Sequence, residues 1–306
     1  MPKELLVRRV VSPPGKAAEA TASPRLLRYI LPSLAVVGGL GALDHLRNRY
    51  QASQMFIPTR YPTGIWDPSI YGLPYDDVWF ESEDGVLLHG WWMAHPRAQA
   101  TILYCHGNSG CLSDRIGVFR DLRRLRVNVF AFDYRGYGRS SGEPTERGLY
   151  SDARAACDWV VENRGVDLGQ VILFGHSLGG AVAIETALHR PVAGLVVQSS
   201  FTQIGDMARH LYPRLPMHLI TRNAFRSIDK VGHLQMPKLF IHGTADGTVP
   251  FAMGEALHAQ ARDPKAWHPV PNANHNDVSR WGSMRYLRML TRFRRDCIRG
   301  RSDGRG

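Results

Sequence analysis

The sequence contains a serine, an aspartate and a histidine whose neighbours suit nucleophilic catalysis: Ser177, Asp246 and His275. Ser177 stands at the centre of the segment Gly175-His-Ser-Leu-Gly179. A serine hydroxyl is a weak nucleophile at neutral pH, so it needs a base to take its proton and an acid to orient that base. We therefore predict that Ser177 is the nucleophile, His275 the general base and Asp246 the orienting acid of an acyl-transfer site.

The residues around Ser177 predict a sharp turn between a strand and a helix. A buried apolar run, Val171 to Phe174, precedes the segment, and a helical pattern of apolar residues follows it. Glycines two positions before and after the serine let the backbone and the helix approach without a Cβ clash, and a helix N-terminus favours developing negative charge. The alternative is an ordinary glycine-rich turn whose serine has no catalytic role.

Asp246 and His275 both lie in turns that follow apolar runs, where a side chain can reach the end of a sheet. The loop 271–277 around His275 is rich in turn-forming residues and precedes the last helical pattern. Each residue also has a plainer interpretation, Asp246 as a turn or helix-cap residue and His275 as an exposed loop residue. His242 and His258 remain alternative bases.

Acyl transfer also requires hydrogen-bond donors for the oxyanion of the tetrahedral intermediate. The backbone N–H of Leu178, immediately after the nucleophile, is the expected first donor. A second donor is expected from the glycine-containing loop 106–110, and we assign it to the backbone N–H of Asn108. We interpret His106, in the same loop, as a packing residue.

Short apolar runs rich in Val, Ile and Phe alternate with longer helical patterns between residues 51 and 298, which we expect to form one domain. This alternation predicts an α/β protein with a mostly parallel sheet covered on both faces. An opening hairpin is expected at 78–81 and 86–92. The interval 200–236 is rich in apolar residues and is interpreted as a small lid. The expected parallel strands are 101–105, 127–132, 171–174, 194–198 and 238–242, and the expected helices are 113–125, 148–163, 178–189, 252–262 and 277–297.

With these residues in place, the chain resembles the α/β-hydrolase superfamily from about residue 70 to residue 297. The segment Asp133-Tyr-Arg-Gly-Tyr-Gly-Arg-Ser140 is similar to the glycine-rich turn after the fourth strand of that superfamily. The resemblance implies the α/β-hydrolase fold, with a mostly parallel eight-stranded sheet, helices on both faces and a small lid. The order Ser, Asp, His along the chain is the order of that fold.

Within the superfamily, the chain most resembles the Bem-like, membrane-anchored branch, which includes protein depalmitoylases and lysophospholipases. Asn274, where members commonly carry Gly, and Cys111 depart from the pattern of the branch. The segments that carry the resemblance are Phe56-Ile-Pro-Thr-Arg60, Asp84-Gly85, His106-Gly-Asn108 and His275-Asn-Asp277.

The net charge of +11 is concentrated at the two ends of the chain. Residues 1–50 contain eight Lys/Arg and three acidic residues, and residues 280–306 contain nine and two, so the part between them is nearly neutral. This distribution argues against nucleic-acid binding, which would need a basic surface on the folded domain. Residues 1–25 are expected to form a basic tail, and residues 299–306 a basic disordered one.

Residues 26–43 form an apolar stretch with Arg28 as its one charge, just long enough to span a bilayer. We expect a single membrane anchor, with a cleaved signal peptide and a soluble amphipathic helix as alternatives. Six Lys/Arg lie before the stretch or near its start, at positions 3, 8, 9, 16, 25 and 28, and three follow it within about twenty residues. The positive-inside rule then places the catalytic domain outside the cytoplasm.

The four cysteines, at positions 105, 111, 157 and 297, have neither metal-ligand spacing nor a clear disulfide pattern. Cys105 and Cys157 are expected to be small buried residues, and a Cys105–Cys111 bridge is conceivable only in an exported protein. No metal or other cofactor is expected. The sequence thus predicts a serine hydrolase of carboxylic esters or thioesters, with a small-molecule or lipid-like acyl substrate. An amidase, peptidase or perhydrolase with the same triad, or a non-catalytic membrane-tethered interaction protein, remain alternatives.

Overall fold

The computed structural model describes residues 55–214 and 224–302. The strands are β1 (Ile57–Pro58), β2 (Asp76–Glu81), β3 (Leu87–Met93), β4 (Thr101–Cys105), β5 (Ser109–Gly110), β6 (Asn128–Phe132), β7 (Val171–His176), β8 (Gly194–Gln198), β9 (Lys238–Gly243) and β10 (Lys265–Val270). The helices are α1 (Ile116–Arg123), α2 (Glu146–Arg164), α3 (Leu178–His189), α4 (Ile204–Leu211), α5 (Ser227–Lys230), α6 (Phe251–Gln260) and α7 (Val278–Ser302). Short 3-10 turns occupy Pro68–Tyr71, Leu112–Arg115, Leu168–Gln170 and Val231–His233.

Eight of these strands form one twisted sheet in the order β10-β9-β8-β7-β4-β6-β3-β2. Within it, β3 runs antiparallel to both of its neighbours, and the other neighbouring pairs are parallel. The predicted α/β-hydrolase fold with a mostly parallel eight-stranded sheet is therefore confirmed. The strand that carries Ser177 at its end, β7, lies in the interior of the sheet, between β4 and β8.

Apolar side chains cover both faces of the sheet, as a parallel sheet requires. On one face, residues of β4, β7 and β8 pack with buried residues of α2, α3 and α6. On the other face, the alternate residues of the same strands pack with buried residues of α1 and α7. Every residue of β4, β7 and β8 is buried, which explains why these strands are continuous apolar runs rather than alternating ones.

Several helix boundaries differ from the predicted ones because side chains fix the ends of the helices. The predicted helix 113–125 is divided into a 3-10 turn and α1, and the turn begins where Asp133 Oδ1 accepts the Leu112 N–H at 2.9 Å. Helix α2 begins two residues earlier than predicted because Thr145 caps it by accepting the Gly148 N–H. Helix α7 continues to Ser302, so the first residues of the predicted C-terminal tail are helical.

The predicted basic tail 1–25 and membrane anchor 26–43 lie outside the described residues, as do 215–223 of the predicted lid. The described parts of the lid interval contain α4, α5 and the turn Val231–His233. None of the helices in residues 55–214 and 224–302 is long and apolar enough to cross a membrane.

Candidate active site

The predicted site residues all follow strands of the main sheet at the same edge. Ser177 follows β7, Asp246 lies three residues after β9, and His275 lies five residues after β10. Asn108 lies three residues after β4, which pairs directly with β7. Because the carboxyl ends of parallel strands meet at one edge of a sheet, side chains from these separate loops converge there.

Ser177 adopts a backbone conformation that non-glycine residues rarely take, with φ of 54° and ψ of −119°. The turn is held by the Ser177 N–H, which donates to the Gln198 carbonyl at 2.9 Å, and by the Ser200 hydroxyl, which donates to the Ser177 carbonyl at 2.8 Å. A side chain at Gly179 would place its Cβ 1.9 Å from the Cys105 carbonyl oxygen. The glycine is required because the helix α3 starts in contact with the end of β4.

The side chains of Asp246, His275 and Ser177 form a continuous hydrogen-bonded chain. His275 Nδ1 lies 2.8 Å from Asp246 Oδ2, and His275 Nε2 lies 3.1 Å from Ser177 Oγ. Both Ser177 and His275 are 7% exposed, so the chain is largely shielded from bulk water. The structure thus brings together the three residues selected from the sequence.

The Asp246 carboxylate is almost completely paired. Its Oδ1 accepts the backbone N–H groups of Thr248 and Val249, each at 2.9 Å, while Oδ2 faces His275 and, at 3.2 Å, His242 Nε2. Burial opposes ionisation, but the hydrogen bonds from His242 and His275, the charge interaction with His275 and the Val249 N–H hold the pKa of Asp246 well below its usual value. Asp246 is therefore a carboxylate at neutral pH.

Two further histidines, His242 and His176, contact this chain of side chains, and no sequence pattern predicted these contacts. The sequence suggested His242 only as an alternative base, yet its Nε2 contacts Asp246 Oδ2, the oxygen that also faces His275. His176 Nε2 donates to the His275 carbonyl at 3.2 Å, and burial lowers the pKa of His176 to about 3, with His275 acting in the same direction. The position of His176, directly before the nucleophile at the end of a strand, is the one sequence signal for this contact.

The other alternative base, His258, lies on α6, where its ring stacks on Trp267 at 5.7 Å between centroids. Its position on a helix of the flanking layer agrees with the helical pattern in the sequence. His258 makes no contact with Ser177 or Asp246 among the contacts of the described residues.

The two predicted oxyanion donors border Ser177. Leu178 is the first residue of α3, so its N–H belongs to the unpaired first turn of that helix. The loop with Asn108 approaches from the other side, because a Cβ on Gly107 would lie 3.5 Å from Ser177 Cβ. Within the described part of the chain, no hydrogen bond engages the Asn108 N–H. Both N–H groups are therefore available to an incoming hydrogen-bond acceptor.

The segment 133–140 supports the loops of the site. Arg135 donates to both oxygens of Asp84, at 2.7 and 2.8 Å, and also to both oxygens of the buried Asp152. The Tyr137 hydroxyl donates a hydrogen bond to the Asn108 carbonyl oxygen at 2.8 Å. The motif thus ties the β2–β3 hairpin to α2 and holds the loop that contains Asn108.

A surface cavity of about 830 Å³ opens beside His275. Its lining is mostly polar and contains three acidic side chains and one arginine: Asp114, Asp121, Asp277 and Arg280. His275 belongs to this lining, whereas Ser177, Leu178 and Asn108 do not, so the cavity adjoins His275 rather than Ser177.

The cysteines do not belong to the site chemistry. All four are buried. Burial raises the pKa of the Cys105 thiol to about 12 and that of Cys111 to about 11. Among the described residues, no group of three or more His, Cys, Asp or Glu side chains has the arrangement of a metal site.

Comparison with known proteins agrees with this architecture. An uncharacterised protein of Mycobacterium tuberculosis is 38% identical over 219 residues, which cover 71% of this chain and 78% of that protein. The protein Bem46 of Schizosaccharomyces pombe is 31% identical over 271 residues, covering 83% of this chain and 88% of the relative. The predicted likeness to the Bem-like branch is thereby confirmed.

Among solved structures, an esterase of Pyrococcus furiosus superposes with a TM-score of 0.65 at 22% identity, covering 78% of this chain and 97% of the esterase. At this identity, the likeness concerns the fold. The family model described as the alpha/beta hydrolase family matches residues 86–294, more than half of the chain. The chain therefore belongs to the alpha/beta hydrolase family.

Proposed function

We propose that this protein is a serine hydrolase that cleaves carboxylic esters or thioesters through an acyl-enzyme. The observation that carries the proposal is the hydrogen-bonded chain from Asp246 through His275 to Ser177, with distances of 2.8 and 3.1 Å. These distances lie within the range in which a base can remove the proton of a nucleophile. The strained backbone of Ser177 holds its side chain at the start of α3, beside the loop that contains Asn108.

In the proposed reaction, Ser177 Oγ attacks the carbonyl carbon of the substrate while its proton passes to His275 Nε2. The carbonyl oxygen becomes an oxyanion that accepts hydrogen bonds from the N–H groups of Leu178 and Asn108. As the intermediate collapses, the His275 Nε2–H protonates the departing alcohol or thiol, and an ester with Ser177 remains. His275 then deprotonates a water that attacks this ester, which releases the carboxylic acid and returns the proton to Ser177. Asp246 stays ionised and stabilises the imidazolium in both steps.

The substrate that we propose carries an acyl chain and a polar leaving group. The polar cavity beside His275 supports a polar leaving group, since His275 must protonate that group. The apolar residues of the interval 200–236 support the acyl chain, and two of them, Leu211 and Tyr212, are exposed directly before the part outside the described residues. Residues 26–43 would anchor such an enzyme to a membrane, with the catalytic domain outside the cytoplasm.

A fluorophosphonate probe, which reacts with activated serines, tests the proposal. We expect the full-length protein to be labelled, the Ser177→Ala variant to be unlabelled, and a Ser199→Ala variant, which removes a buried serine from a neighbouring loop, to be labelled like the wild type. A folded wild-type protein that neither reacts with the probe nor hydrolyses any member of a panel of acyl esters and thioesters would refute it. Equal turnover of p-nitrophenyl acetate and p-nitrophenyl dodecanoate would refute the acyl-chain preference alone.

A further inference from the structure

The loop that contains Asn108 is held from both sides by groups that have no contact with the triad. On one side, His106 Nδ1 lies 2.7 Å from the Gly107 carbonyl oxygen. A carbonyl oxygen can only accept a hydrogen bond, so His106 Nδ1 carries the hydrogen and is the donor. His106 is fully buried, and burial lowers its pKa to about 3, so the ring is neutral and keeps one fixed tautomer.

This contact determines where the Asn108 N–H points. The Gly107 carbonyl and the Asn108 N–H belong to the same peptide unit, which is planar and trans, so the two groups point in opposite directions. Holding the carbonyl towards His106 turns the N–H away from His106. In a glycine-containing loop, the same peptide could otherwise rotate and present its oxygen where the oxyanion must bind.

On the other side, Asn108 is bound by the strap, which we define as residues 55–61. The Asn108 side-chain amide donates to the Met55 carbonyl at 3.0 Å, and the Ile57 N–H donates to the Asn108 carbonyl at 3.0 Å. The strap includes β1, which pairs in parallel with β5. At its end, the Tyr61 N–H donates to the Gly138 carbonyl oxygen at 3.0 Å. It thus crosses the loops that follow β4 and β6, at the edge of the sheet where Ser177 lies.

The strap is itself fixed to the domain. Phe56 is buried and its ring packs edge-on against Phe225, at 6.3 Å between centroids, and Phe225 packs against Tyr150. Only the strap and the hydroxyl of Tyr137 hold the Asn108 carbonyl among the contacts of the described residues. The peptide unit before Asn108 is therefore held by His106, which bonds to the Gly107 carbonyl. The peptide unit after Asn108 is held by the Ile57 N–H and the Tyr137 hydroxyl, which bond to the Asn108 carbonyl.

We propose that the strap and the side chain of Asn108, acting together with His106, are positioning groups that hold the Asn108 backbone N–H in the oxyanion site. In this arrangement the side chain of Asn108 does not touch the substrate. It aligns the donor of its own backbone by anchoring the loop to Met55. This inference rests on the proposed function and adds to it a segment far from the triad in the sequence.

The experiment uses the full-length protein and p-nitrophenyl butyrate. Asn108→Ala keeps the backbone donor and removes the anchor, and Ile57→Pro removes the backbone N–H that holds the Asn108 carbonyl. We expect kcat to fall about 10- to 100-fold in each variant. Removing a whole oxyanion donor typically lowers kcat about 100- to 1000-fold, so a misaligned donor should cost no more than that. KM should change less than about threefold, because the oxyanion forms only after binding. Affinity for a trifluoromethyl ketone, which forms a tetrahedral adduct, should fall in parallel with kcat.

Asn163→Ala is the matched control, because Asn163 makes the same kind of bond, from its amide to the Trp159 carbonyl at 3.2 Å, on an exposed face of α2. It should retain the wild-type kcat. If Asn108→Ala lowers the melting temperature below that of the assay, Asn108→Asp, which keeps the size of the side chain and removes its donor to the Met55 carbonyl, replaces it.

The inference is overturned if these variants keep kcat within about threefold of the wild type, or if KM rises while kcat is unchanged. The proposed function fails separately, when the wild type is inactive or Ser177→Ala is as active as the wild type.

Discussion

Replacing Asp246 by Asn is the sharpest test of the hydrogen-bonded chain, because the surrounding donors determine how the new amide must lie. Oδ1 of Asp246 accepts two backbone N–H groups, from Thr248 and Val249. The oxygen of the amide must take that place, since an NH₂ group there would leave two backbone donors without partners, at a cost of about 1–3 kcal/mol each. The NH₂ group then takes the place of Oδ2, where it also faces the N–H of His242 Nε2, which keeps the Val249 carbonyl as its acceptor.

In that place the NH₂ group faces His275 Nδ1 at the former 2.8 Å contact. Two donors cannot bond to each other, so Nδ1 must accept and the ring proton moves to Nε2. Nε2 then points its proton at Ser177 Oγ, 3.1 Å away, and can no longer take a proton from it. The same substitution in a serine protease triad lowers kcat about 10⁴-fold through this change of tautomer. This loss corresponds to a barrier higher by about 5 kcal/mol.

The measurement is the steady-state hydrolysis of p-nitrophenyl butyrate by the wild type and by Asp246→Asn. We expect kcat to fall about 10³- to 10⁴-fold, with KM nearly unchanged. Asp67→Asn is the control, because the Asp67 carboxylate accepts the Ser69 N–H at 3.0 Å in a similar turn that is exposed and contains no histidine. A kcat of Asp246→Asn within tenfold of the wild type, in folded protein, would show that Asp246 does not set the tautomer of His275.

Three further predictions concern stability. The pKa of Asp246 is lower in the folded than in the unfolded chain, so its ionisation stabilises the fold above about pH 4, and this contribution is lost as pH falls through the folded pKa. In urea unfolding, the difference in free energy of unfolding between the wild type and Asp246→Asn should therefore be larger at pH 7 than at pH 3. Gly179→Ala should cost at least about 2 kcal/mol, because the new Cβ would lie 1.9 Å from a carbonyl oxygen, whereas Gly117→Ala, with open space around its Cβ, should stabilise α1 by up to about 1 kcal/mol in the same assay. Arg135→Leu leaves a fully buried carboxylate without its cation and should cost about 3–5 kcal/mol in urea unfolding, whereas Arg154→Leu, which breaks a partly exposed ion pair, should cost about 1 kcal/mol or less.

The sequence predicted the fold and the convergence of Ser177, Asp246 and His275 because both depend on local patterns. Continuous apolar runs such as 101–105 and 171–174 identified strands of the sheet, and the glycines around Ser177 identified a turn that only close backbone contact requires. Asp246 and His275 could be placed because each follows such a run within a few residues. Strand ends at one edge of a parallel sheet then bring these residues together without further information.

The contacts that support the site could not be predicted because they join residues far apart in the chain. Asn108 binds Met55 across 53 positions, and His176 binds the carbonyl of His275 across 99. Neither pairing leaves a periodic pattern or a local motif. The segment 56–60 could be recognised by its likeness to the Bem-like branch, but the reason for its presence is visible only where it crosses the loop of Asn108.

The sequence left His242 open as a base, and the geometry around Asp246 decides against that role. Both His242 and His275 contact Oδ2 of Asp246. His242 Nε2, however, also lies 3.0 Å from the Val249 carbonyl, which can only accept, so this nitrogen holds its proton as a donor to both oxygens.

The other nitrogen of His242 is enclosed by α6. A Cβ on Gly254 would lie 2.4 Å from His242 Nδ1, so the helix backbone closes over the ring and leaves no room for a substrate. His275 alone of the two has a nitrogen directed at Ser177. The two histidines therefore contact one carboxylate in different ways: the hydrogen bond from His242 helps to hold the pKa of Asp246 low, and His275 directs its second nitrogen at Ser177 Oγ.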